Sequence, residues 1–497
     1  MVLIILGLAA LATSINEGPL VDWDEATYAQ VAHEATANGS YLHFTWNGDP
    51  YVKKPPLLLW MVTASFKAFG ETEWAARLPS VLMGMGTLLL VYFSAAAVAG
   101  RLGGFFAGLI PLGFYFFIAR GGRECATDAP LVFFSMLAVY ALIRARNDRR
   151  WAPIIGVACG LAILSKGLAG LIPIAVVAIS VLALPGFSVI GIGGLLIQFA
   201  IAVAVAAPWF IIEAISRGDL FWSTFVKQET LARLTSHLED QPNAQAYSLI
   251  TFAAEIRYLW PILLPLAGLS IAALRRGALT TMRRLPPELA VWFLWLGLAL
   301  GAACAVQTKL GWYILPALIP VALVSGVILA GAFRQDGAAR RYCMPLGVLA
   351  LAIIMAGAPA LWQRNQQTFQ TQRDRSRPSY IMGVAAREAG ALKGGGELYF
   401  AGVPLPTLVY YSGMRCNFIA PANTGFELID RGGNPVTIGY HELVLRDAGG
   451  DVSTVANFDD EWDRSGPYRE RKKEPELDTA LAAPDLRPPP TGTGTDP

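Results

Sequence analysis

The sequence predicts an all-α polytopic membrane protein. We expect about eleven transmembrane helices, juxtamembrane helices on the outer face, and a small C-terminal extracytoplasmic α/β domain. Three observations carry that reading. Of 497 residues, 54% are hydrophobic and only 15% are charged, against roughly 25% charged in soluble proteins. Long apolar runs recur as far as Trp362 and then stop. Beyond that point, short apolar stretches alternate with Gly and Pro, as in a soluble domain.

The apolar runs place helices at residues 2–15, 75–98, 102–119, 129–143, 152–165, 168–184, 189–211, 248–274, 289–306, 312–333 and 342–362. Several are shorter than the ~20 residues of an ideal crossing. The first lacks any lysine or arginine, so it reads as a retained helix and not as a signal peptide. Residues 56–69 follow Lys-Lys-Pro-Pro and contain Lys67, which suits a helix lying along the interface. Residues 213–247 make a long outer loop in which Phe221, Trp222 and Phe225 are interleaved with Lys227, Glu229 and Arg233. This amphipathic stretch either gates a lipid-facing cavity or rests on the bilayer. Residues 364–378 read as a charged linker, and residues 397–401, 408–411 and 436–445 as short strands. The chain thus divides into a transmembrane domain (1–362), a soluble α/β domain (363–468) and a disordered Pro/Gly/Thr-rich tail (469–497).

Orientation follows from arginine placement. With the N-terminus inside, Arg101 and the arginines within 144–150, 275–284 and 334–341 all fall in cytoplasmic loops. Asp24, Lys54, Asp128, Lys166, Arg233 and Lys309 then converge on the outer face. The net charge of +2 gives no electrostatic case for nucleic acid. The cysteines (Cys125, Cys159, Cys304, Cys343, Cys416) and histidines (His33, His43, His237, His441) lack metal-ligand spacing. There is no Walker A sequence and no G-x-G-x-x-G between a strand and a helix, so any substrate is handled from the membrane or from outside.

The polar segments each allow a structural and a chemical reading. Asp24-Glu25 either caps a helix starting near Ala26 or supplies a general base that positions a hydroxyl nucleophile. Lys53-Lys54-Pro55-Pro56 either snorkels to lipid phosphates or holds a rigid cation against a bound phosphate. Asp128, before Pro130, could cap the next helix. Lys166 interrupts two apolar runs, and burying it mid-helix would cost ~2.5–3.5 kcal/mol, so it belongs at a helix end facing a polar cavity. Lys309 lies beside Trp312 and Tyr313, which alone would be interface anchors.

Six motifs occur in order: W-D-E-A-T-Y-A, Y-V-K-K-P-P-L-L-L-W, E-W-A-A-R-L-P-S, R-E-C-A-T-D-A-P-L, L-S-K-G and T-K-L-G-W-Y-I-L-P. Together they resemble the GT-C glycosyltransferases, especially bacterial relatives of protein O-mannosyltransferases and of the lipid A aminoarabinose transferase. The resemblance covers residues 16–320 and implies a multi-pass enzyme of the bacterial inner membrane. Such an enzyme moves a sugar, with inversion, from a polyprenyl-phosphate donor to an acceptor on the periplasmic side. The acceptor is lipid A, another envelope glycoconjugate, or a protein in the O-glycosyltransferase alternative. A non-catalytic flippase is the rival from another class. By resemblance, Asp24 is the first-loop aspartate, Glu25 its neighbour and Asp128 the second-loop aspartate. Tyr51, Lys53, Lys54, Lys166, Arg233, Lys309 and Tyr313 are the candidates for the carrier phosphate. Two departures stand out. Lys53 replaces a glutamate found directly before the K-P-P lysine, and Glu229-Thr230-Leu231-Ala232-Arg233 lacks the histidine of E-H-x-x-R. Those family residues are metal ligands, so the departures argue against a bound divalent metal or other cofactor and for an all-cationic phosphate clamp.

Overall fold

The computed structural model describes residues 1–457 apart from 14, 185, 237–245, 260–285, 335–337, 394, 402–403, 420–426, 430, 432–434 and 438–441. The expected disordered tail (469–497), the arginine-bearing loop 275–284 and residues 260–274 of the expected helix 248–274 lie outside the described residues. The chain forms two compact units. One comprises Met1–Gly18 and Tyr28–Thr371, the other Pro19–Thr27 and Gln372–Pro497.

The first unit is helical. It contains α1 (Val2–Ala12), most of α2 (Asp24–Asn38), α3 (Leu57–Phe69), α4 (Glu73–Leu109), α5 (Tyr115–Gly122), α6 (Asp128–Ala145), α7 (Ala152–Lys166), α8 (Leu171–Ala183) and α9 (Gly191–Arg217). After these come α10 (Phe221–Ala232), α11 (Tyr247–Glu255), α12 (Pro287–Ala305), α13 (Leu315–Arg334) and the start of α14 (Ala338–Leu392). Among the described residues, six stretches are long and apolar enough to cross a membrane: Glu73–Gly113, Asp128–Ala145, Arg149–Ala183, Ser188–Arg217, Pro287–Ala305 and Gly311–Gly331. Glu73–Gly113 holds the expected helix 75–98 and the first part of 102–119, which is interrupted at Phe114 before α5, and Arg149–Ala183 holds 152–165 and nearly all of 168–184. Within α4 the helical backbone breaks at Ala99 and Gly100, where Gly100 adopts a φ of 61°. Between α7 and α8 it breaks at Gly167, with a φ of 54°. Only glycine takes such a conformation without strain, so each long apolar stretch is two helices.

Apolar side chains from α4, α5, α6, α7, α8, α12 and α13 form one continuous core, with Trp292, Trp295, Phe114 and Phe117 fully enclosed. Small residues allow the backbones to approach closely, the packing mode expected where lipid removes the hydrophobic drive between helices. A methyl group added at Gly84 would lie 2.8 Å from the Gly122 Cα and 2.9 Å from the Gly121 carbonyl oxygen. One added at Gly326 would overlap the backbone of Ala107.

A two-residue hairpin leads the chain into the Lys-Lys-Pro-Pro segment. Thr45–Trp46 (β1) pairs antiparallel with Asp49–Pro50 (β2), and Asn47 and Gly48 turn with φ of 56° and 82°, the conformation an Asn-Gly turn favours. Glu34 on α2 secures it, accepting from Asn47 N–H at 2.6 Å and Gly48 N–H at 3.2 Å.

The second unit holds a four-stranded sheet in the order β4-β3-β7-β8, built from β3 (Gly396–Ala401), β4 (Cys416–Ile419), β7 (Glu442–Asp447) and β8 (Val452–Asn457). A separate pair, β5 (Glu427–Ile429) and β6 (Pro435–Thr437), lies antiparallel. The β3 and β4 strands are parallel, joined through α15 (Pro406–Ser412), while β3–β7 and β7–β8 are antiparallel. Leu398, Phe400, Leu408, Val409, Leu443 and Leu445 are fully buried. This is the small α/β domain expected from sequence.

Two expectations are corrected. Residues 408–411 are helical, not a strand. Pro406 opens the helix and Gly413, at φ 61°, closes it by donating its N–H to the Val409 carbonyl. An apolar run of four residues cannot by itself distinguish the two states, so the flanking Pro and Gly decide. Residues 364–378 are not a linker but part of the continuous helix α14. Residues 363–377 contain no glycine or proline, and their Gln, Arg and Asp side chains are compatible with a helix.

Gly84→Val should lower the thermal midpoint of detergent-solubilised protein by an amount equivalent to ~1–3 kcal/mol. Leu82→Ala, at an exposed position on the same helix, should change it by less than about 0.5 kcal/mol and serves as the control.

Candidate active site

Several segments of the first unit bring charged side chains together in two adjoining clusters. Asp128 begins α6 and is 2% exposed at its side chain. Thr127, before it, makes no side-chain cap. Asp128 instead accepts from Lys166 Nζ at 2.5 Å and from Arg120 at 3.4 Å. Lys166 is the last residue of α7, so its ammonium leaves the helix where the backbone turns at Gly167. It also lies 5.3 Å from the Tyr313 ring centroid, and the Arg120 guanidinium lies 4.4 Å from that of Trp312. Arg120 further pairs with Glu124 at 3.4 Å. The aromatic faces favour these cations.

A second cluster adjoins it. Lys54 Nζ donates to Glu229 Oε2 at 2.5 Å, and Arg233 Nε donates to the same oxygen at 3.2 Å. Glu229 is carried by α10, which winds as a π-helix. The aromatic side of α10 anchors it: Phe221 and Phe225 stack at 5.3 Å, and both rings meet Trp209 of α9. Burial pushes the Glu229 carboxyl up, but the charges of Lys54 and Arg233 and their hydrogen bonds outweigh it and hold the group below the ordinary glutamate value. The turn after Lys166 joins the clusters, since a methyl at Gly167 would touch Phe225 at 3.4 Å and Pro55 at 4.0 Å. On the far side, Thr308 N–H donates to the Arg233 carbonyl at 3.1 Å, and Thr308 Oγ1 to that of Ser236 at 2.9 Å.

The structure therefore brings Lys54, Asp128, Lys166, Arg233 and Tyr313 into neighbouring positions. Lys309 is close to Tyr313 in sequence but employed differently. It is 4% exposed, and its ammonium donates to the carbonyls of Cys304 and Val306 at the end of α12, a favourable place for a cation. Tyr51 is buried ahead of Lys54, whereas Lys53 is exposed. Arg120 and Glu229 were not selected from sequence. The sequence carries two signals for Glu229: its i,i+4 spacing from Arg233 and its place as the glutamate of the E-T-L-A-R stretch.

Asp24 and Glu25 belong to the second unit. They occupy the first turn of α2. Glu25 is buried, and its Oε2 accepts from the Val21 N–H at 2.9 Å, which satisfies a donor preceding the helix.

Comparison with known proteins accords with this architecture. Residues 53–212 match the family described as dolichyl-phosphate-mannose-protein mannosyltransferase. A Pseudomonas paraeruginosa protein named undecaprenyl phosphate-alpha-4-amino-4-deoxy-L-arabinose arabinosyl transferase is 28% identical over 387 residues, covering 75% of this chain and 67% of the relative. The protein of the same name from Aeromonas salmonicida is 29% identical over 323 residues, covering 62% of this chain and 56% of the relative. The crystal structure of ArnT from Cupriavidus metallidurans bound to undecaprenyl phosphate matches with a TM-score of 0.65 at 19% identity, over 84% of this chain and 85% of that one. The fold is that of the ArnT structure, in a multi-pass membrane protein. In sequence, the chain is similar to proteins named as aminoarabinose transferases and, over residues 53–212, to the mannosyltransferase family description.

The lowered Glu229 carboxyl sets a pH signature. Its pairing contributes stability that is fully present above the unfolded value near 4.5 and is lost as pH falls through the lower folded value. The difference in thermal midpoint between wild type and Glu229→Gln should stay constant from about pH 8 to about pH 5 and shrink only below. Shrinkage already between about pH 7 and 6 would contradict the pairing.

Proposed function

We propose that this protein is an inverting membrane glycosyltransferase that takes a sugar from a polyprenyl-phosphate carrier and delivers it to lipid A. The donor sugar on this reading is a pentose of the 4-amino-4-deoxyarabinose type, and the reaction takes place on the periplasmic side of the inner membrane. The observation that carries the reading is the concentration of Lys54, Arg233, Lys166 and Arg120 around two carboxylates, Glu229 and Asp128. The names of the relatives support the donor and the arginine distribution supports the orientation.

A lipid-linked sugar phosphate carries its own leaving group, so no nucleotide is needed. As the bond from the anomeric carbon to the phosphate oxygen breaks, negative charge grows on that oxygen. Lys54 and Arg233 would neutralise it, with the carrier phosphate replacing Glu229 as their counter-ion. Lys166, steadied by Asp128, adds positive potential nearby. Asp24 would hold the acceptor on the opposite face of the ring and, for a hydroxyl acceptor, remove its proton. For a phosphate acceptor it would only orient. No metal enters this scheme, because Lys53 stands where the resemblance implies a ligand glutamate and Thr230 where it implies a ligand histidine.

The family description also names protein mannosyltransferases, so the assay must separate acceptors. Membranes supplied with labelled undecaprenyl-phosphate aminoarabinose should place the label in the lipid extract. Label in protein would favour the O-glycosyltransferase reading, and translocation without transfer a flippase. Asp24→Asn and Lys54→Ala should each lower transfer by at least ~100-fold with expression intact, and unchanged glycolipid in either variant would refute the assignment. Stoichiometric zinc in the purified protein would overturn the metal-free scheme.

A further inference from the structure

We propose that the C-terminal domain is the mount for the first-loop acid, and that Asp22 is the positioning residue that fixes Asp24 upon it. This rests on the reading of Asp24 as the acid that handles the acceptor. Residues Pro19–Thr27 belong to the same compact unit as the soluble domain, and hydrogen bonds show how they are held. Asp22 Oδ1 accepts from the Thr407 N–H at 3.0 Å, and Oδ2 from the Ser379 hydroxyl at 2.8 Å. The Asp22 N–H donates to Ser376 Oγ at 2.9 Å. Two residues earlier, the Leu20 N–H donates to the Tyr411 hydroxyl at 2.9 Å, and the Thr407 hydroxyl donates to the Leu20 carbonyl at 3.3 Å.

Leu20, Ser376, Ser379 and Thr407 are all buried. Hydrogen bonds shielded from water are hard to exchange, because each group released would be left unsatisfied. The anchor is rigid on the domain side as well. Ser376 and Ser379 are one turn apart on α14, Thr407 lies in the first turn of α15, and the Tyr411 ring packs edge-on against Tyr380 at 4.6 Å. Each Asp22 oxygen accepts from a donor of the C-terminal domain, which ties the side chain to that anchor.

Trp23, between the two aspartates, is the second observation. It has a φ of 74° although it is a large side chain and 48% exposed. A residue other than glycine persists in that region only where its surroundings impose it. Asp22 pins one side. On the other, Glu25 accepts from Val21 N–H, Ala26 N–H donates to the Val21 carbonyl at 3.1 Å, and Thr27 N–H to that of Trp23 at 2.9 Å. The strained turn converts the hold on Asp22 into a fixed start for the helix that begins at Asp24.

Burial pushes the Asp22 carboxyl up despite the bonds from Thr407 and Ser379. Asparagine preserves the geometry of the anchor, since its Oδ1 can accept from the Thr407 N–H and its Nδ2 can donate to Ser379 Oγ. The test uses the full-length protein in nanodiscs, with undecaprenyl-phosphate aminoarabinose as donor and lipid A as acceptor. Asp22→Ala should lower kcat at least ~10-fold with the donor KM unchanged, speed amide exchange at residues 20–27, and be rescued by Asp22→Asn. Ser379→Ala, which removes one bond, should give a smaller loss and serves if Asp22→Ala does not fold. Wild-type kcat, equal losses in the Ala and Asn variants, or unchanged exchange in Asp22→Ala would each overturn the proposal. Normal turnover by Asp24→Asn would instead defeat the functional reading, while the exchange measurement still decides the role of Asp22.

Discussion

Ionised groups set inside an apolar helical protein must neutralise one another, and in this chain that requirement organises the site. Asp128 takes Lys166 and Arg120, and Glu229 takes Lys54 and Arg233. Removing one member of such a pair is costly, because the survivor keeps its desolvation penalty without its partner. The pairings also constrain the chain, since they join segments separated in sequence. Lys54 and Glu229 are 175 positions apart, and Asp128 and Lys166 are 38. The supporting structure follows the same logic. Gly167 lets α7 end at Lys166, and the Asn-Gly hairpin delivers the chain to Lys54.

Much of this was legible in the sequence. Helix positions could be read because apolar runs are long and their breaks are marked by glycine, as at Gly100 and Gly167. The lysine of L-S-K-G could be assigned to a helix end because the alternative is too costly. What could not be read depends on distant partners. Glu229 is one acid in an amphipathic loop until Lys54 arrives beside it. Asp22 looks like a solvated neighbour of Asp24, and its partners Ser376 and Ser379 lie 354 and 357 positions away. Lys309, like Lys166, stands one or two residues before a glycine between apolar runs, yet its ammonium closes the end of α12. Local pattern gives the kind of side chain at a turn and not the group it will face.

The departure at Lys53 illustrates how resemblance and physics divide the work. Glu229 is committed to two cations, which leaves that carboxylate oxygen engaged in ion pairing. On the function proposed above, such a site would take the carrier phosphate by exchanging one anion for another, and its affinity would depend on the difference between two interactions and not on the full strength of either.

The π winding of α10 has a consequence for how the sequence can change. A helix with five-residue hydrogen-bond spacing fits more residues into each turn than its ordinary counterpart. Deleting a single residue between Phe225 and Glu229 would still swing the carboxylate by roughly a quarter of a turn around the axis, away from the ammonium it meets. Most surface loops tolerate changes of length, but here a one-codon gap would act as a rotation, and natural variation should accumulate by replacement on this segment while its residue count stays fixed.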